Sequence, residues 1–296
     1  MSTIEAKNLP LVSVIVPTCN SEKTIEICLS SIKAQSYTNI EILVIDNHSK
    51  DKTREIATKY CAQVYLKGGE RAAQVNYGVK MARGKFIFFT GADMLVEKDY
   101  IKEAVEKCLK EGYDAIYASV LTKGEKFWQK VKGLERTMYI GDNSIESARF
   151  FRRDVFLNIG GYDESLLFGG DDYDFQRRLN LSGYRTGRIK SVEWHLDEPD
   201  SLSKVFIKTL YYAITVRNYV KKHKGYALKQ LMPIRLSFLR NYKLLLKNPL
   251  LFIGFLVFKY VQYTAAIMGT ILSLLHIVGL SELHDNIYTS QAKFKT

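Results

Sequence analysis

Short apolar runs alternate with amphipathic stretches over the first 200 residues. Leu11–Val16 (L-V-S-V-I-V) is apolar but for one serine, the pattern of a buried strand, and Pro17 is expected to stop it. Positions 22–35 carry apolar residues near helical spacing, with Ser21 placed to serve as N-cap. Ile40–Ile45 repeats the strand pattern, and Lys52–Tyr60 the helical one after a Ser49-Lys50-Asp51 turn. Gln63–Leu66 then reads as a short strand, 70–82 as a helix behind Gly68-Gly69, and Phe86–Thr90 as a fourth strand. A helix over 97–110 and a fifth strand at Asp114–Ser119 follow. This alternation predicts an α/β fold with a mainly parallel sheet and helices on both faces. The regularity then stops. Residues 123–146 look like a helical insert of mixed polarity, Ser147–Arg152 like a strand, 171–181 like a helix and 185–194 like a last strand.

The C-terminal third has a different character. From Pro249 to Leu280 only Lys259 carries a formal charge, and a spanning helix needs about 20 mainly apolar residues. Whether this run crosses a membrane once, re-enters or lies in the interface is open, because Lys259, Gln262 and His276 are costly at the bilayer centre. The net charge of +12 also resides here: residues 1–200 hold 29 basic and 29 acidic side chains, the rest 14 and 2. Eleven basic residues and no acid lie between Lys204 and Lys247. Interleaved with long apolar side chains, they fit the cytoplasmic side of a membrane better than nucleic acid. The expected organisation is an α/β domain over 1–200, a basic amphipathic helical region over 201–248 and a hydrophobic, transmembrane or re-entrant segment with a short tail over 249–296. The α/β domain is expected to face the cytoplasm. Cys19, Cys28, Cys61 and Cys108 show no C-x-x-C pairing, which suits reduced thiols in a cytosolic domain. The first ten residues lack the apolar core of a signal peptide.

Candidate chemistry sits at strand ends. Asp46 ends the E-I-L-V-I run, Asp93 follows K-F-I-F-F-T-G-A, Asp171, Asp172 and Asp174 open a helix behind Gly169-Gly170, and His195 follows Trp194 on the last strand. Ligands of open α/β sheets bind outside the carboxyl ends of the parallel strands.

Taken in order, six segments resemble the family 2 glycosyltransferases, inverting enzymes with the GT-A fold. They are V-S-V-I-V-P-T-C-N (12–20), E-I-L-V-I-D-N-H-S-K-D (41–51), E-R-A-A-Q-V-N-Y-G (70–78), G-K-F-I-F-F-T-G-A-D (84–93), F-F-R-R-D-V-F-L-N-I-G-G-Y-D-E-S (150–165) and G-G-D-D-Y-D-F-Q-R-R-L (169–179). The resemblance covers roughly residues 10–200. It implies that the nucleotide enters at Pro17 and that Asp46 hydrogen-bonds the base, although Asp46 equally suits an Asx turn. Asp93 matches the last acid of an Asp-x-Asp motif that binds Mn2+ or Mg2+ with the sugar diphosphate; Gly91 replaces the first. His195 matches a downstream metal ligand or is structural. Asp172 matches the base that takes the acceptor's proton, with Asp171 capping the helix or orienting the acceptor. The plain alternative is that these acids only favour a helix N-terminus. Glu70 and Arg71 are placed to meet the nucleotide or diphosphate, and Arg178 either contacts the diphosphate or pairs with an acid on its own helix.

The implied activity is transfer of a sugar from a UDP or GDP donor to a lipid-linked acceptor at the cytosolic membrane face. Polyprenyl (dolichyl) phosphate is the alternative acceptor. A non-catalytic nucleotide-sugar-binding relative, suggested by Gly91, is a third reading.

Overall fold

A computed structural model of the chain describes residues 9–60, 63–166, 170–231 and 235–275. Gly169, Cys61, His276 and the rest of the hydrophobic run beyond 275 lie outside the described residues. The chain forms two compact units. The first runs up to Lys123 and adds Tyr139–Glu164 and Asp171–Asp197; the second holds Gly124–Met138, Ser165–Gly170 and everything from Glu198 onwards.

The first unit begins with β1 (Val12–Thr18), α1 (Ile25–Lys33), β2 (Ile40–Asp46), α2 (Thr53–Tyr60), β3 (Gln63–Leu66), α3 (Arg71–Met81) and β4 (Phe86–Phe89). It continues with β5 (Met94–Val96), α4 (Tyr100–Glu111), β6 (Ala115–Tyr117) and β7 (Val120–Thr122). After α5 (Phe127–Met138), which belongs to the second unit, come β8 (Ala148–Arg152), α6 (Arg153–Asn158), α7 (Asp171–Leu181), β9 (Thr186–Arg188) and β10 (Glu193–His195).

Seven strands form one sheet in the order β3-β2-β1-β4-β8-β6-β9. β3, β2, β1 and β4 are parallel, and β8 runs antiparallel to both its neighbours. Both faces are covered. Val12, Val14 and Val16 share a core with Ile25 and Leu29 of α1 and with Ile101 and Val105 of α4. Ile15, between them, packs on the other face with Val75 and Val79 of α3 and Phe175 of α7. That split is the two-residue alternation of a strand buried on both sides.

Pro17 does not stop β1, which runs on to Thr18 beside Asp46. Ile15 uses its carbonyl towards β4, accepting from Thr90 N, and the β1–β4 pairing ends at Ile15–Phe89. Pro17 points the same way, past the end of that pairing, so its missing N–H removes no ladder bond. Ser21 is not the N-cap of α1: the cap is Thr24, and the Ser21 hydroxyl bonds the Cys19 carbonyl. The last expected strand is two strands. β9 joins the large sheet, while β10 joins a second one, antiparallel to β5 and parallel to β7.

The second unit contains α5, α8 (Leu202–Thr215), α9 (Arg217–Leu231, kinked at Lys224), α10 (Leu236–Arg240), α11 (Tyr242–Leu246) and α12 (Pro249–Leu274). Asn248 caps α12 by accepting from Leu251 N at 3.1 Å, and Pro249 fills its first turn. Val131 and Met138 of α5, Val205 of α8, and Phe255 and Phe258 of α12 share a core. The insert helix read with the first 200 residues therefore packs among the C-terminal helices. α12 is long and apolar enough to cross a membrane.

Candidate active site

The parallel strands bring their carboxyl ends to one edge of the sheet, and Pro17, Asp46, Glu70, Arg71 and Asp93 lie at or just after those ends. Asp46 ends β2 fully buried; its carboxylate accepts from Ser49 N at 2.9 Å and from the Ser49 hydroxyl, with Arg54 Nε 3.8 Å away. These bonds close the turn after β2 over three residues, one more than an Asx turn spans. Gln74 of α3 ties the neighbouring strand ends together, donating to the carbonyls of Thr18 and Ile45 at 3.0 and 2.6 Å.

The loop after β3 delivers Glu70 and Arg71. Glu70 holds the N-cap position of α3 in extended backbone, and its carbonyl accepts from Gln74 N. Arg71, in the first turn, reaches the start of α7: its Nη2 lies 2.7 Å from Asp171 Oδ2 and 2.8 Å from Asp172 Oδ2. Tyr162, buried, donates to Asp172 Oδ1 at 3.3 Å. Asn76 fixes the backbone there, accepting from Tyr162 N and donating to the Tyr162 carbonyl.

These contacts split the two acids. Burial pushes the Asp171 carboxyl above its ordinary value, with Asp172 adding to the effect and Arg71 opposing it. Burial acts the same way on Asp172, but Arg71 and Arg149 outweigh it and hold that carboxyl below its ordinary value. Adjacent acids are expected to raise at least one pKa. The raised one is Asp171, not the acid aligned with the base. Asp171 Oδ1 is buried and has no hydrogen-bond partner among the described residues.

Asp93 and His195 come together because β5 and β10 are paired. His195 sits opposite Met94, Leu196 N bonds the Asp93 carbonyl at 2.9 Å, and His195 Nε2 lies 3.4 Å from Asp93 Oδ2. Gly91 allows this arrangement: a Cβ there would come 2.5 Å from Asp93 Oδ1. Among the described residues no three His, Cys, Asp or Glu side chains converge as a metal site. The chain offers one carboxylate and one imidazole, and the Asp93 side chain is 36% exposed. That donor pair fits a divalent ion only when substrate and water complete its shell.

Arg178 is engaged within its own unit. It pairs with Asp174 at 2.7 Å, one helical turn earlier, and donates to the Ile159 and Gly161 carbonyls. This is the ion-pair reading; it joins α7 to the Gly160-Gly161 turn.

Glu193, Arg149 and Tyr100 were not singled out from the sequence. Glu193, fully buried, accepts from Thr90 Oγ1 at 2.6 Å, Tyr100 Oη at 3.3 Å and Arg149 Nη1 at 3.3 Å. This cluster braces the strand ends that carry Asp93 and His195, and the Arg149 charge acts on Asp172. Arg149 is the single charge in the run S-A-R-F-F, between buried Ala148 and Phe150. A charge at such a position demands a partner, which is the one signal the sequence held.

Residues 13–164 match the family described as Glycosyl transferase family 2. Glycosyltransferase AglE of Haloferax volcanii is 25% identical over 194 residues, which are 60% of this chain and 63% of that protein. The chain thus spans less than two thirds of that relative's length. Among solved structures, the mannosyltransferase PcManGT from Pyrobaculum calidifontis, in complex with GDP-Man and Mn2+, matches with a TM-score of 0.55 at 19% identity. The match covers 98% of this chain and 82% of that one. S. aureus TarS in complex with UDP-GlcNAc matches at 0.50 with 20% identity, over 77% of each chain. At such identities the structural likeness carries the fold, a GT-A type, and nothing finer.

Proposed function

This chain belongs to glycosyl transferase family 2, and we propose that it is an inverting enzyme that moves a sugar from a nucleoside diphosphate donor to a lipid-linked acceptor. The observation that carries the reading is the reach of Arg71, from the loop after a parallel strand, to both Asp171 and Asp172. It supports assigning the paired acids to the edge formed by the carboxyl ends of the parallel strands, where Asp46 and Asp93 also lie and where open α/β sheets bind ligands. The donor, a UDP or GDP sugar, is assigned to that edge, with its nucleotide near Pro17 and Asp46 and its diphosphate near Glu70 and Arg71. Arg178, bound to Asp174, is assigned only a supporting place. GDP-Man and UDP-GlcNAc in the two structural neighbours support a nucleotide-sugar donor.

Asp172 takes the acceptor's proton as the acceptor oxygen attacks the anomeric carbon and the diphosphate leaves from the opposite face. Asp171 orients the acceptor. Asp93 and His195 would hold Mn2+ or Mg2+, whose charge favours departure of the diphosphate. The apolar helix α12 and the basic residues before it support attachment to a membrane, with the catalytic unit on the cytoplasmic side.

One observation favours a second acceptor. Asp172, paired with Arg71 and held below the ordinary carboxylate range, is a weakened base, and polyprenyl phosphate is already ionised and needs none. Incubating the full chain with UDP-, GDP- and dTDP-sugars tests the reading by release of the nucleoside diphosphate. Release that depends on a lipid-linked oligosaccharide supports the first acceptor, and release that depends on polyprenyl phosphate the second. No release with any donor and acceptor contradicts both.

A further inference from the structure

The second unit carries an apolar surface that its own core does not use. α12 has 26 residues, a length of about 39 Å at 1.5 Å per residue. One face is buried from end to end: Gly254, Phe255, Phe258, Ala265 and Gly269. Gly254 lies against Phe127 and Val131 of α5, and Gly269 against Ala213 and the Leu210 backbone of α8. The first half of α12 is therefore lined by α5 and the second by α8.

The opposite face is open and apolar over the same length. Ile253, Leu256, Tyr260, Ile267, Ile271 and Leu274 are all exposed, and at 3.6 residues per turn they fall within an arc of roughly 60°. The neighbouring α10 and α11 expose Leu239, Tyr242 and Leu246 together with Arg240, Lys243 and Lys247.

A helix crossing a bilayer alone meets lipid all round. α12 instead travels with two helices that carry charge. Lys259, at residue 11 of the helix, binds Glu135 of α5, which also holds Lys132 at 2.6 Å. In a perpendicular span that ion cluster would sit about 15 Å from the helix start, at the middle of a hydrocarbon core about 30 Å thick. Lys130 of α5, and Lys204 and Lys208 of α8 with their partners Asp200 and Glu198, would travel into the bilayer with it. Charges at that depth are expensive. With the helix laid flat, only the apolar stripe enters lipid.

Resting on the membrane reading above, we infer that α12 lies in the plane of an anionic lipid surface and does not cross it. Its Ile253–Tyr260–Ile271 stripe sinks about 5–10 Å, the depth of an interfacial helix. The basic residues of α10 and α11 provide the complementary charge, with no acid between Lys204 and Lys247.

The test uses the full chain with single substitutions Ile253→Cys, Tyr260→Cys, Ile267→Cys and Leu274→Cys, each spin-labelled, with the labelled parent as background. Label depth is read by oxygen and nickel-chelate accessibility on vesicles of phosphatidylcholine and phosphatidylglycerol. All four labels should report one similar shallow depth, while Lys130→Cys reports water. A depth that peaks at Tyr260 and falls towards both ends means a span and overturns the inference, leaving membrane attachment intact. Labels that stay in water on vesicles overturn the membrane reading too. Dipolar broadening between labels without vesicles assigns the stripe to a second copy of the chain and overturns the inference as well.

Discussion

Arg71 Nη2 lies 2.8 Å from Asp172 Oδ2, so the acid assigned to proton transfer is tethered to a cation. The tether positions the carboxylate and weakens it as a base at the same time. On the proposed mechanism, Asp172 would regain basicity once that guanidinium binds another anion, such as a diphosphate.

Replacing Arg71 by methionine should therefore raise the Asp172 pKa. Its folded value lies below the ordinary one, so its ionisation adds stability that is present above the ordinary carboxylate value and lost as pH falls through the folded value. Asp171, whose value is raised, acts in the opposite sense: the stability that its protonated form adds is present below the ordinary carboxylate value and lost as pH rises through the raised folded value. The acid limb of kcat/KM should move to higher pH in Arg71→Met. A limb that stays where it was would remove Asp172, or its tie to Arg71, from the pH profile.

Divalent metal should be required. Chelation should abolish transfer and Mn2+ or Mg2+ restore it, with Asp93→Ala losing metal-dependent donor binding and His195→Ala weakening it less. Full activity in excess chelator would remove the metal from the account.

Gly91 gives a sharper test of the same site. The atom that a Cβ at this position would strike is the carboxylate end of Asp93, which can turn away. Gly91→Ala should leave the thermal midpoint nearly unchanged and raise the metal concentration needed for half-maximal activity. An unchanged metal requirement would mean that the Asp93 rotamer seen here is not the working one.

In the second unit, Glu135 is buried against Lys132 and Lys259. Glu135→Gln leaves two ammonium groups around a neutral amide, and breaking such a buried pair costs about 3–5 kcal/mol. Chemical unfolding of the variant should show a loss of that order; a loss under about 1 kcal/mol would mean that water reaches the cluster.

Much of the first unit was legible because its strands are apolar on both faces and its helices amphipathic. β2, α2, β3, α3, β4, α4 and α7 fall within a few residues of their expected places. Less legible were features set by partners distant in sequence. Pro17 stays in β1 because the strand on its N–H side has already ended. β5, β7 and β10 have three residues each, too few to show a period, yet the pairing of β5 with β10 brings His195 to Asp93. α5 carries a mixed surface because one face meets α12. The acids at 171 and 172 were legible as a pair, but their split needed Arg71, 100 residues away, and Arg149.

Proton transfer to Asp172 is tested most directly by comparing Asp172→Asn with the parent chain. Donor binding is read by calorimetry, and turnover by nucleoside diphosphate release with the lipid-linked acceptor present. Donor affinity should stay near that of the parent while the rate falls by roughly 10²–10⁴-fold, the usual loss of a general base. Turnover within a few-fold of the parent would contradict the assignment.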